Sequence, residues 1–183
     1  LGGSRIDFDR QIQLDNTARV FRNLGKTRHQ GCELELQWSP EQQRALTLNA
    51  SYAYLDASQE SGAFRGFRVP YTSRHQIVLG STYALGHTTV ALSGYYFSQA
   101  FNDAANTVQE NAIASAGQLP AYMVWNTQVR HALFEHNGET FSASLAINNL
   151  FDRQYWFRGV DTSPWGRQAA PARTVTAGLE YTF

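Results

Sequence analysis

Four arginines stand in stretches rich in Gly, Ser, Asn, Gln and Pro: Arg65, Arg68, Arg158 and Arg167. A guanidinium is a planar fork of donors that matches carboxylate and phosphate oxygens, so together they have the chemistry to grip an anionic ligand. Solvated loop charge, or pairing with lipopolysaccharide phosphates, would use the same residues. Tyr71, Trp156 and Trp165 lie beside them and offer flat faces for an aromatic ligand; packing within loops or at a membrane interface is the competing use. Glu33, Glu35 and Glu180 sit within alternating stretches, where they are placed to pair with cations rather than to act as general acids. The histidines (His29, His75, His87, His131 and His136) show neither HExxH nor His-x-His spacing, and Cys32 is alone, so no metal site or internal disulfide emerges. No Ser-His-Asp spacing, phosphate loop or catalytic carboxylate pair stands out. The chemistry on offer is that of binding, with no catalytic residue and no cofactor indicated.

Eight alternating segments position these residues. They read 5–14 (RIDFDRQIQL), 31–38 (GCELELQW), 45–55 (ALTLNASYAYL), 74–83 (RHQIVLGSTY), 88–101, 121–133, 140–150 and 173–183. In the last, Val175, Ala177, Leu179, Tyr181 and Phe183 face one way and Thr174, Thr176, Gly178, Glu180 and Thr182 the other. A period of two is a strand with one apolar face. In 5–14 the apolar set is Ile6, Phe8, Ile12 and Leu14, with Arg10 interrupting; 88–101 is apolar on both faces toward its end (GYYFSQAF). The segments run to about 8–13 residues, bracketing the length of a tilted strand that crosses a bilayer. No amphipathic helix is evident.

Short connections (SPEQQR, ALGH and FEHNGE, the last with the hairpin signal Asn137-Gly138) alternate with long ones at 56–73, 102–120 and 152–172. Short turns at one end and long loops at the other is how an outer-membrane barrel is built. Its apolar stripe is covered by lipid and its polar face lines a lumen. The formal net charge is zero over 183 residues, which argues against a nucleic-acid partner. No apolar run reaches the length of a membrane-spanning helix, but a barrel hides from hydropathy because only alternate residues face lipid.

Four stretches resemble the TonB-dependent outer-membrane receptors. NLGKTRHQGCELELQW is similar to the family's N-x-G-x-x-R-x-x-G-x-E-L strand. SYAYLDA is followed by a loop and RVPYTSRHQIVLGSTY. INNLFDRQYW is similar to its N-L-F-D-x-x-Y, and GRQAAPARTVTAGLEYTF to its G-R-x-x-x-x-R-T with an aromatic terminal strand. The resemblance implies an all-β fold: an antiparallel transmembrane β-barrel segment of about eight strands, the C-terminal part of a barrel of about 22. It implies that residues 1–183 are all barrel, with the plug domain and N-terminal strands outside this chain. It implies import of a ferric chelate, of siderophore or ferric dicitrate type, across a Gram-negative outer membrane. The expected partners are that chelate, an inner-membrane energy-coupling protein acting through the plug, outer-membrane lipid and lipopolysaccharide, and the barrel-assembly machinery, for which Tyr181 and Phe183 would be the signal. Iron would be cargo in its chelate, not a cofactor. The ligand residues implied are Arg65, Arg68, Tyr71, Trp156, Arg158, Trp165 and Arg167.

Three rival architectures remain at this point. A complete eight-stranded barrel acting as adhesin or anchor needs the first strand to pair with the last. A barrel enzyme needs acidic, His or Ser groups converging at one rim. A soluble β-sandwich needs a second sheet against the apolar stripes.

Overall fold

The computed structural model describes residues 1–183 apart from 16, 17, 19, 44 and 159–166, with backbone alone at 13–15, 42 and 158. Its strands in chain order are β1 (Gly2–Phe8), β2 (Ile12–Asp15), β3 (Val20–Asn23), β4 (Thr27–Trp38), β5 (Leu46–Gln59), β6 (His75–Leu85), β7 (Thr88–Phe97), β8 (Ala100–Phe101), β9 (Gln118–Leu119), β10 (Tyr122–His136), β11 (Glu139–Asn148), β12 (Trp156–Arg158), β13 (Arg167–Ala169) and β14 (Thr174–Thr182). Eight of them form one antiparallel sheet in the order β1-β4-β5-β6-β7-β10-β11-β14. The remaining six pair as three short hairpins, β2-β3, β8-β9 and β12-β13, each inside a long connection.

The register sorts the side chains into two faces. Leu34 lies opposite Tyr52, which lies opposite Ile77, which lies opposite Tyr96. Farther along, Val90 pairs Val129, Val129 pairs Leu145 and Leu145 pairs Ala177. The other face carries Glu33, Glu35, Asn49, Gln76, Ser93, Asn126, Gln128, Ser144 and Glu180. On the apolar face Leu92 is 37% exposed and Leu145 45%, although both belong to interior strands of the sheet. No described residue forms a second layer over them, which removes the sandwich and leaves lipid as the cover. β1 and β14 occupy opposite edges without pairing, so the described strands do not close into an eight-stranded barrel. The wall is a segment.

Turn chemistry fixes the short end. Asn137 and Gly138 hold φ of 49° and 89°, the left-handed pair a two-residue hairpin needs to match strand twist. Gly86 does the same at φ 55° between β6 and β7. The long connections, 9–26, 60–74, 98–121 and 149–173, all gather at the other end. Among the described residues the buried apolar ones cluster there too: Ala57, Val69, Ala100, Ala114 and Leu119, with Val124 near the start of β10. The dry core is thus a roof over one end of the wall.

Two expectations need correction. Residues 5–14 are not one strand: the chain bends at Asp9 and Arg10, and Ile12 begins the β2-β3 hairpin. Ile6 and Phe8 pair with His29 and Thr27 on the polar face, and the Phe8 ring meets His29 edge-on at 5.2 Å. Their register places both on the polar face instead of facing lipid. Residues 88–101 also split. β7 ends at Phe97, the amide of Ser98 bonds the His75 carbonyl, and Ala100–Phe101 pairs with Gln118–Leu119 at the base of a loop. Within β7 the doubly apolar stretch resolves into Tyr96 on the lipid face and Tyr95 with Phe97 on the polar one.

Two substitutions check this sidedness. Val129→Arg, on the lipid face, should cost the intact protein about 2–4 kcal/mol of stability in phospholipid vesicles, and Gln128→Arg, one residue away on the polar face, close to nothing. Urea unfolding in vesicles of both variants measures the contrast.

Candidate ligand-recognition site

The roof is stitched by side chains that take the place of strand partners. Gln59, 2% exposed, donates through Nε2 to the carbonyls of Arg68 and Ala104. Asn106, in the left-handed region at φ 52°, accepts from the Arg68 amide at 2.7 Å and donates to its carbonyl at 3.0 Å. The Asp103 carboxylate accepts from the amides of Ala105, Thr107 and Gly117. Asn and Asp suit these places because a short polar side chain mimics a backbone turn. The loops 60–74 and 98–121 are thereby locked together.

Arg68 is built into that lock. Its guanidinium donates to the carbonyls of Thr72 and Gln99 and lies 5.6 Å from the Phe101 ring centre. Burial lowers its pKa below the usual arginine value, and the nearby Arg74 lowers it further while Asp56 opposes. Arg167 is likewise engaged. Two of its nitrogens reach the two carboxylate oxygens of Glu110 at 2.8 Å each, and its plane lies 4.5 Å from the Trp156 ring centre. This fork bridges the loop of β8-β9 to the loop of β12-β13. Tyr71 sits at φ 59° with its amide on the Phe101 carbonyl. Arg65 is exposed and has no ion pair or hydrogen bond to a described residue. Arg158 contributes its backbone to β12, and Trp165 lies outside the described residues. Tyr181 and Phe183 lie at the opposite, short-turn end, exposed, with ring centres 6.3 Å apart. Of the expected ligand residues, Trp156 and Arg167 meet each other, and Arg68 and Tyr71 both reach Phe101.

A set of aromatic residues outside that expectation converges on one space. On the polar face, directly under the roof, Phe97 stacks on Tyr122 (5.3 Å, 29°) and Tyr122 on Tyr155 (4.6 Å, 31°). Tyr95 stands two residues deeper on the same face. They line a recess of about 490 Å³ together with Val124, Asn126, Asn148, Asn149 and Thr174, within the size range of small-molecule sites. The INNLFDRQYW motif builds one wall of it. Asn149, 3% exposed and at φ 53°, accepts from the Arg153 amide and donates to the carbonyls of Arg153 and Pro171. Asp152, also at φ 53°, accepts from the Arg173 amide. These bonds fold 149–155 back so that Tyr155 meets Tyr122. Asn149 and Asp152 are thus turn residues whose side chains bond backbone groups. These aromatics were not singled out in the sequence; the double apolar face of GYYFSQAF was the signal for Tyr95 and Phe97, and no local pattern marked Tyr122 or Tyr155.

The other recurring motif has an equally local logic. Asn23 Oδ1 accepts from the Gly25 amide while Gly25 takes φ 81°. Arg28 pairs with Asp7 and Glu60. Gly31 leaves room for the Tyr54 carbonyl, which would lie 2.1 Å from any Cβ placed there.

Comparison with known proteins places this geometry. Residues 3–150 match the family model for the TonB dependent receptor-like β-barrel. The metal-pseudopaline receptor CntO of Pseudomonas aeruginosa is 28% identical over 167 residues, covering 88% of this chain and 22% of that protein. A ferric-pyoverdine receptor of a Pseudomonas species, PbuA, is 29% identical over 171 residues, covering 88% and 19%. Among solved structures, the unliganded ferric citrate transporter FecA superposes with a TM-score of 0.77 at 31% identity, over 86% of this chain and 24% of that one. The ferric preacinetobactin receptor BauA of Acinetobacter baumannii shares the fold, with a TM-score of 0.72 at 18% identity over 98% and 26%. The chain spans about a fifth of the length of the sequence relatives it matches.

Two substitutions separate the parts of the roof. Asn149→Ala leaves buried backbone groups unpaired and should lower the opening free energy of the 149–173 segment by about 3 kcal/mol. Glu110→Ala breaks a partly exposed pair and should cost about 1 kcal/mol or less, confined to the two loops it joins. Amide hydrogen exchange at Arg153, Arg173 and across 102–117 reads both.

Proposed function

This chain belongs to the TonB-dependent receptor β-barrel family, and on that premise we propose that it forms the C-terminal part of the barrel of a receptor that imports a ferric chelate, of siderophore or ferric dicitrate type. The family resides in the outer membrane of Gram-negative bacteria, and its members are receptors rather than enzymes. The observation that carries the reading is the sidedness of one continuous wall: apolar toward lipid, polar toward a lumen, and roofed at one end by ordered loops. The metal-chelate ligands named for CntO, PbuA and FecA support the substrate class.

In this reading the chemistry is binding and passage, with no covalent step. The loops capture the chelate and the polar face passes it inward. A plug domain upstream of this chain fills the lumen and transmits work from an inner-membrane coupling protein. Lipopolysaccharide and lipid cover the outer face. Tyr181 and Phe183, at the rim opposite the loops, serve as the signal for the barrel-assembly machinery. Arg65, without a protein partner among the described residues, offers its fork to the ligand, whereas Arg68 and Arg167 shape the loops that present it.

The test is uptake of radiolabelled iron, offered as ferric citrate and as a ferric hydroxamate, by cells of a receptor-deficient Gram-negative strain making the full-length protein. Uptake that collapses when the inner membrane is de-energised supports the reading, and no uptake of either complex refutes it. For the chelate imported, Arg65→Ala should raise the dissociation constant about three- to ten-fold.

A further inference from the structure

We infer that the recess beneath the roof is a seat for an uncharged aromatic ring of the ligand, so that the chelate carries a neutral aryl arm and is not a simple polycarboxylate. The inference rests on the reading of the chain as a chelate receptor and narrows its substrate class. Tyr95, Phe97, Tyr122 and Tyr155 present their rings to one space of about 490 Å³. Among the described residues, no Arg, Lys, Asp or Glu lines it. The arginines that would receive a carboxylate are held elsewhere: Arg68 against Phe101 and two backbone carbonyls, and Arg167 against Glu110 and Trp156. A carboxylate entering this recess would shed water with no cation among the described lining residues to replace it, which is strongly unfavourable. A flat neutral ring loses little hydration and gains offset or edge contacts with the existing stack.

Two amides give the seat polarity without charge. The Asn126 carbonyl accepts from the Asn149 amide, leaving its NH₂ without a partner among the described residues. Asn148 donates to Thr174, leaving its carbonyl oxygen unpartnered in the same sense. One donor and one acceptor at the floor of an aromatic recess fit a ring bearing a neutral hydroxyl or amide substituent. Tyr95, at 36% exposure, marks the side open toward the lumen.

Two neutral ferric complexes with the same oxygen-coordinated iron isolate the ring: ferric tris(benzohydroxamate), bearing phenyl groups, and ferric tris(acetohydroxamate), bearing methyl groups. Fluorescence-quenching titration of the intact, detergent-purified receptor should show the phenyl complex binding about ten-fold more tightly. Tyr95→Leu and Tyr122→Leu should each bring the two complexes within about two-fold of one another, and Tyr122→Phe, which keeps the ring, should retain the preference. Tyr95 is exposed enough for its truncation to leave the wall intact. Equal affinities in the unaltered receptor, or a preference surviving both leucine substitutions, overturn the inference. Binding of ferric citrate without any aryl preference overturns the recess alone; binding of no ferric complex overturns it together with the receptor reading.

Discussion

In hydrocarbon every backbone N–H and C=O has to find a partner within the protein, and the rest of this structure depends on that constraint. Strand-to-strand ladders run from β1 to β14, with a register shift between Ala132 and Phe134 in the β10-β11 pair. Once the ladders are complete, the wall needs no second layer, because lipid solvates one face and the lumen the other. Side chains such as Leu36, Leu92, Val129 and Leu145 stay uncovered by protein, and would be a liability in water. Glu33, Glu35 and Glu180 are acceptable in the same strands because alternation turns them the other way.

At the long-loop end the constraint reverses. Water is available, yet the loops build a core of small residues, Ala57, Val69, Ala100, Ala114 and Leu119. Irregular backbone cannot make ladders, so Gln59, Asp103, Asn106 and Asn149 supply the missing donors and acceptors. The left-handed asparagines are the local cost of that substitution. What results is an ordered surface rather than a fringe, and it is this order that gives the aromatic recess a fixed upper wall.

The wall was legible in the sequence because alternation is a local signal and the bilayer demands it without exception. The Asn137-Gly138 turn was legible for a similar reason: it is decided within two residues. Strand ends were less so. β4 begins at Thr27 and β5 runs to Gln59, four residues beyond the alternation at each place, because pairing continues past the bilayer where side chains no longer need to alternate. The phase of Ile6 and Phe8 misled for that reason. The site was the least legible. Arg68 meets the Gln99 carbonyl and Arg167 meets Glu110, contacts 31 and 57 residues away in sequence, and loops carry no periodicity from which such partners can be read.

The fork between Glu110 and Arg167 has a consequence for how such a surface changes over time. Loops exposed to the environment normally diverge independently of one another. Here a charge reversal at one position leaves an uncompensated like-charge pair unless the other reverses too. Reversing both restores the pair, so the tolerance of one hairpin for a change of charge depends on what the other carries.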